Sequence, residues 1–141
     1  MSPERPQWSL QGLRHLALWV RDMAKSRSFY EGILGMKVVW EPDPDNVYLT
    51  SGSDNLALHQ ISQEQIHEFK AKIGQMMDHF GFIVQDPDTV NSIFLTMEKA
   101  GVPIVKPLKT HRDGSVSFYM ADPDGNVIQI LYEPNISGKS K

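Results

Sequence analysis

Apolar and polar residues alternate in two stretches of the chain that read almost alike. Leu13 to Asp22 runs Leu-Arg-His-Leu-Ala-Leu-Trp-Val-Arg-Asp, and Met77 to Asp86 runs Met-Asp-His-Phe-Gly-Phe-Ile-Val-Gln-Asp. His15 falls on His79 at an offset of 64 residues, and Asp22 falls on Asp86 with no gap. A two-residue period predicts a strand in each stretch. Leu16, Leu18 and Val20 (Phe80, Phe82 and Val84 in the second copy) line one face; His15, Ala17 and Trp19 (His79, Gly81 and Ile83) line the other.

A helix is predicted after each strand. Asp22 caps Met23 to Leu34, which carries Phe29, Ile33 and Leu34 on one side and stops at Gly35. Asp86 precedes Pro87, a favourable first helical residue, and Val90, Ile93, Phe94 and Met97 keep helical spacing up to Gly101. Three short apolar runs follow each glycine: Met36 to Trp40, Val47 to Thr50 and Asn55 to Ile61, then Val102 to Pro107, Ser115 to Ala121 and Asn126 to Tyr132. Turn-rich segments such as Ser51-Gly52-Ser53-Asp54 and Asp122-Pro123-Asp124-Gly125 separate them. The order strand–helix–three strands is thus present twice, and internal repetition of this kind organises a whole fold. The expected architecture is α+β: two βαβββ modules whose eight strands form one curled mixed sheet around a cavity, with helices outside. Residues 9–61 form module one, 62–75 a polar linker and 76–134 module two, with tails at 1–8 and 135–141. The face with His15 and His79 is the one expected to look into the cavity.

Composition narrows the function. The formal charge is −3 with no basic cluster, so nucleic acid and anionic membrane are poor partners. There is no cysteine, which excludes disulfides, thiolate metal sites and a cysteine nucleophile. Met1 to Leu10 does not read as a secretory leader, and no apolar run is long enough to span a bilayer, so a cytoplasmic protein is expected. No glycine-rich phosphate loop or nucleophile elbow is present.

The duplicated order, His15 and His79, Phe29-Tyr30 with Leu34-Gly35-Met36-Lys37, and Asp122-Pro123-Asp124-Gly125-Asn126 together resemble the vicinal oxygen chelate superfamily. That superfamily holds glyoxalases, extradiol dioxygenases and fosfomycin and bleomycin resistance proteins. The resemblance spans roughly Gln11 to Pro134. It implies one divalent metal (Zn, Fe, Ni or Mn), bound through the first and last strand of each module. The implied first-strand ligands are His15 and His79. For the last strands, the apolar pattern pairs His59 with Gln129 at an offset of 70. The less gapped pairing of Asn55 with Asn126, at 71, would put Leu58 there instead.

The resulting set is His15, His59 and His79, with Gln129 as a fourth donor. Gln129 stands where catalytic members carry a carboxylate, and Gln cannot titrate. Glu133, on the same strand face, is the candidate base. Trp19, Trp40, Tyr48 and Tyr119 are the candidate substrate-binding wall, with core filling as their plain alternative. His67 and His111 read as exposed loop residues. A metal-dependent lyase, isomerase or ring-cleaving oxygenase on a small oxygenated metabolite is expected, in a homodimer. A metal-free binding protein of the bleomycin-resistance type, with the histidines as cavity residues, is the alternative, and a non-catalytic scaffold a weaker third.

Overall fold

The computed structural model describes Gln7, residues 10–68 and residues 77–137. Its elements follow the repeat. Module one holds β1 (His15–Val20), α1 (Met23–Arg27), β2 (Lys37–Asp43), β3 (Asn46–Thr50) and β4 (Asn55–Gln60). Module two holds β5 (Phe80–Ile83), α2 (Pro87–Lys99), β6 (Ile104–Thr110), β7 (Val116–Ala121) and β8 (Val127–Tyr132). The hydrogen bonds run within each module, so the eight strands form two four-stranded mixed sheets in the equivalent orders β1-β4-β3-β2 and β5-β8-β7-β6. In each, the first strand runs parallel to the last and the remaining pairs are antiparallel.

The predicted caps are present. Asp22 accepts from the Lys25 N–H and Asp86 from the Thr89 N–H and hydroxyl. α1 is shorter than the predicted Met23–Leu34 helix, because its path widens into a π-helical turn over Ser28–Ile33 before Leu34. Gly35, at φ 80°, then turns the chain out of the helix, a conformation that costs glycine little. The wider turn buries Phe29 and Tyr30 as neighbours. β5 begins one residue after His79, so that histidine sits at the strand entrance. The linker has a short 3₁₀ turn at Ile66–Glu68, where His67 is exposed; its residues 69–75 lie outside the described residues. Among the described residues, no helix is long and apolar enough to cross a membrane.

The predicted apolar faces meet in one core. Leu18, Val20, Leu56 and Leu58 from the first sheet and Phe118, Met120, Ile128 and Ile130 from the second belong to a single buried cluster with Phe29, Val90 and Met97. A polar seam also ties module one to module two. The Tyr30 hydroxyl donates to Asp122 Oδ2 at 2.6 Å, Arg21 Nε pairs with Asp124 Oδ1 at 2.9 Å, and the Ser26 hydroxyl donates to Asp124 Oδ2 at 3.4 Å. Both carboxylates come from the Asp-Pro-Asp-Gly-Asn turn and are only 4% exposed. Buried charges of this kind persist only when paired and hydrogen-bonded.

Candidate functional site

Strand alternation turns His15, Ala17 and Trp19 of β1 away from the core, with Asn55, Ala57 and His59 beside them on β4. In module two the corresponding face carries His79 and Gly81, with Gln129 on β8 and Tyr119 on β7. His15 and His79, equivalent in the repeat, line one cavity of about 310 Å³ between the modules, with Leu16, Leu56 and Phe80 among its walls.

Both histidines are oriented by an oxygen on Nδ1. His15 Nδ1 lies 2.8 Å from Asn55 Oδ1, and His79 Nδ1 lies 2.8 Å from Asp78 Oδ1. Each contact directs Nδ1–H to an acceptor and leaves Nε2 available, the arrangement that holds an imidazole ready to ligate a metal. His79 also meets the Tyr119 ring edge-on at 5.0 Å. Tyr119 pairs directly with Gln129 across β7 and β8, and Lys106 Nζ lies 5.0 Å from its ring centre. His79, Tyr119 and Gln129 therefore form one patch. Gly81 lets β5 and β8 approach closely there: a Cβ on it would lie 2.9 Å from the Gln129 carbonyl oxygen.

His59 is placed differently. Gly81 pairs with Gln129, and its repeat equivalent Ala17 pairs with Ala57. Ala57, not His59, thus occupies the position of Gln129, and the offset-70 pairing is corrected by two residues. The face was right and the register was not. The same register excludes the offset-71 pairing, because Leu58 points into the core. His59 sits opposite Trp19 instead, with its Nδ1 2.6 Å from Asn46 Oδ1. Among the described residues, no three His, Asp or Glu side chains converge in metal-binding fashion, so the three histidines do not form a single cluster.

Glu133 lies with Gln129 and Tyr119 in a broad open groove, but its Oε1 accepts from both the backbone N–H and the side-chain amide of Asn135. That carboxylate closes a turn. The aromatic wall is a row: Trp40 and Tyr48 are 4.9 Å apart, and Tyr48 and Trp19 each stand 5.9 Å from His59. It is not core filling for the tryptophans, since Trp19 is 62% and Trp40 59% exposed. Sequence reasoning missed Asn46, Asn55 and Asp78, the oxygens that orient the histidines; no spacing marks them, because each is a neighbour only through strand register or an adjacent position. It also placed His111 in an exposed loop. His111 is exposed, yet its Nε2 reaches Ser117 Oγ at 3.3 Å and the residue lines the groove beside Gln129.

By residue type, imidazole Nε2 atoms and an amide oxygen are donors that suit Zn²⁺, Fe²⁺, Ni²⁺ or Mn²⁺; His15 and His79 share one cavity, whereas Gln129 lines the neighbouring open groove.

Residues 12–130 match the family model of the glyoxalase/bleomycin resistance protein/dioxygenase superfamily. The chain is 31% identical to glutathione transferase FosA of Serratia marcescens over 86% of its own length and 80% of the relative's. It is 32% identical to virulence protein STM3117 of Salmonella typhimurium, over 90% of this chain and 88% of that one. The crystal structure of the latter superposes with a TM-score of 0.64, covering 89% of this chain and all of the other. Lactoylglutathione lyase of Agrobacterium tumefaciens, 21% identical, has the same fold at a TM-score of 0.68, over 87% and 94% of the two chains. The chain belongs to the glyoxalase/bleomycin resistance protein/dioxygenase superfamily.

Proposed function

We propose that this protein is a divalent-metal-dependent enzyme acting on a small oxygenated metabolite, with a reaction of the lyase, isomerase or ring-cleaving oxygenase type. His15, His79 and Gln129 are the proposed ligands. The observation that carries the reading is that two repeat-equivalent histidines line one cavity with Nδ1 anchored on oxygen and Nε2 left for coordination. A divalent ion there would serve as a Lewis acid for substrate oxygens. Asn55 and Asp78 hold the ligand rings in place. Tyr119 packs against His79 and pairs with Gln129, and Lys106 puts a positive charge beside it. Ala57 brings no donor to the fourth repeat position, which leaves that side to substrate.

The proposed partner is a second copy of the chain. Trp19, Trp40 and Ile83 are exposed on the outward faces of the two sheets, an apolar surface that a monomer would leave in water. The equivalent hairpins are also opposite in charge: Glu41, Asp43 and Asp45 around β2–β3, and Lys106, Lys109 and Arg112 around β6–β7. A two-fold pairing of the first sheet with the partner's second sheet satisfies both.

Elemental analysis of protein stripped with a chelator and reloaded with each ion tests the metal reading. About one ion per chain is expected for wild type, lost in His15→Ala and His79→Ala. No bound metal under any loading would sink it and leave a metal-free binding protein.

A further inference from the structure

The cavity shared by His15 and His79 has a second wall, which a metal would not use. Alternation turns both histidines outward, yet Leu16, Leu56, Phe80 and Phe82, which belong to the core or pack against it, line the same space with buried Met36. β1 hydrogen-bonds to β4 and β5 to β8, and each is the edge strand of its sheet. A cavity walled from both faces of two edge strands opens between those edges. The histidines stand at its outer mouth, and aliphatic and aromatic side chains at its core end. Apart from the histidines, the charged side chains on its wall among the described residues are Arg14 and Asp54. Arg14 is exposed, and the Asp54 carboxylate accepts from Thr50 and Ser51 in the β3–β4 turn. The core end therefore presents apolar side chains and no charged one. Its volume of about 310 Å³ is at the small end of ligand sites, about 300–1,000 Å³. An apolar gap left empty forfeits dispersion contacts along its lining, and such a gap stays dry and takes up apolar groups.

We infer that this slot between β1 and β5 is the specificity pocket for the ligand held at the histidines, and that it takes a neutral apolar substituent, a phenyl or branched alkyl group. The ligand class is a small molecule with oxygens at one end, beside His15 and His79, and an uncharged hydrocarbon group at the other, against Leu16, Met36 and Phe80. Leu16 comes from module one and Phe80 and Phe82 from module two, so side chains of both modules set the size of the group admitted. The link between the slot and the substrate's oxygens rests on the metal reading; the slot's affinity for hydrocarbon does not.

The test uses full-length protein and two probes. Hydroxamates chelate a divalent ion through two oxygens, so calorimetry on zinc-loaded protein compares acetohydroxamate with benzohydroxamate, corrected for their affinities for free zinc. Benzohydroxamate is expected to bind about 30-fold tighter, the order for moving a phenyl ring in place of a methyl group into an apolar site. Leu16→Phe fills the slot and should cut that ratio to about 3-fold. Phe80→Ala widens it and should move the preference to 2-naphthohydroxamate, a change of size selection that mere loss of packing would not produce. Toluene titrated into metal-free protein reads the slot without metal: the methyl signals of Leu16, Met36 and Leu56 should shift and saturate. Equal affinity for acetohydroxamate and benzohydroxamate, a ratio untouched by both variants, or toluene that leaves those methyl groups unmoved would overturn the inference. Toluene shifts with neither hydroxamate bound would uphold the slot as an apolar ligand pocket and overturn only the metal reading.

Discussion

Replacing Tyr30 with Phe removes a single oxygen from the seam between the modules and leaves the ring's apolar packing intact. The lost bond is a 2.6 Å hydroxyl–carboxylate contact between fully buried Tyr30 and Asp122. Hydrogen bonds to charged groups contribute about 1.5–3 kcal/mol net. Asp122 keeps the Asp124 N–H, the Asn126 N–H and the Asn126 side-chain amide as donors, so the carboxylate is weakened but not orphaned. We therefore expect a loss of about 2 kcal/mol for Tyr30→Phe, or about 7 °C in melting temperature. Asp122→Ala strands three donors besides the phenol and should cost more, about 4 kcal/mol. Urea unfolding followed by tryptophan fluorescence and circular dichroism reads both, and the two probes should coincide, because the seam and the shared core make the modules one cooperative unit. Burial first, and then the charge of Asp122, raises the phenol well above its ordinary value of 10. A raised value means stability that is complete below pH 10 and is lost as pH climbs through the folded value. The difference between wild type and Tyr30→Phe should accordingly hold constant from neutral pH to 9 and shrink above 10. A Tyr30→Phe penalty below about 0.5 kcal/mol, or one unchanged at alkaline pH, would refute the seam as a source of stability.

Gly81→Ala should push β5 from β8, since the new Cβ meets Gln129 backbone that cannot yield; about 2 kcal/mol of lost stability and reduced metal content are expected, and unchanged metal binding would remove Gln129 from the ligand set. Gln129→Glu adds a negative charge to a neutral donor set and should tighten metal about ten-fold by calorimetry, equivalent to about 1.4 kcal/mol; weaker binding would mean that Gln129 does not face the ion. Trp40→Glu puts a charge on the exposed aromatic row and should raise the dimer dissociation constant by about 100-fold in sedimentation, with circular dichroism unchanged; an undisturbed dimer would place the interface elsewhere.

The repeat was legible because it rests on local signals: two alternating strands, two Asp caps, and glycines that end both helical segments. Alternation also assigned the faces correctly, as burial of Leu18, Val20, Leu56 and Leu58 beside outward Trp19 and His59 attests. It failed at the one step it could not constrain. A one-residue slip reverses a strand's faces and is visible in the pattern, whereas a two-residue slip leaves the pattern unchanged. His59 was matched to Gln129 through such a slip, and the pairing of Ala17 with Ala57 corrects it. The π-helical turn that aims Tyr30 at Asp122 was illegible for another reason: the acceptor for the Tyr30 hydroxyl comes from a turn in the far module, which no local pattern describes. Glu133 looked free to act as a base by period alone. Its capture by Asn135 belongs to the chain's exit from β8, which alternation does not describe.

The central claim is that His15, His79 and Gln129 hold one divalent ion, and anomalous diffraction from a zinc-soaked crystal at the metal's absorption edge tests it most directly. The account predicts one strong peak per chain, about 2.0–2.1 Å from Nε2 of His15 and of His79, with Gln129 completing the protein donors. The peak should be absent from His79→Ala crystals. A peak bonded to His59, or none at full loading, would contradict it.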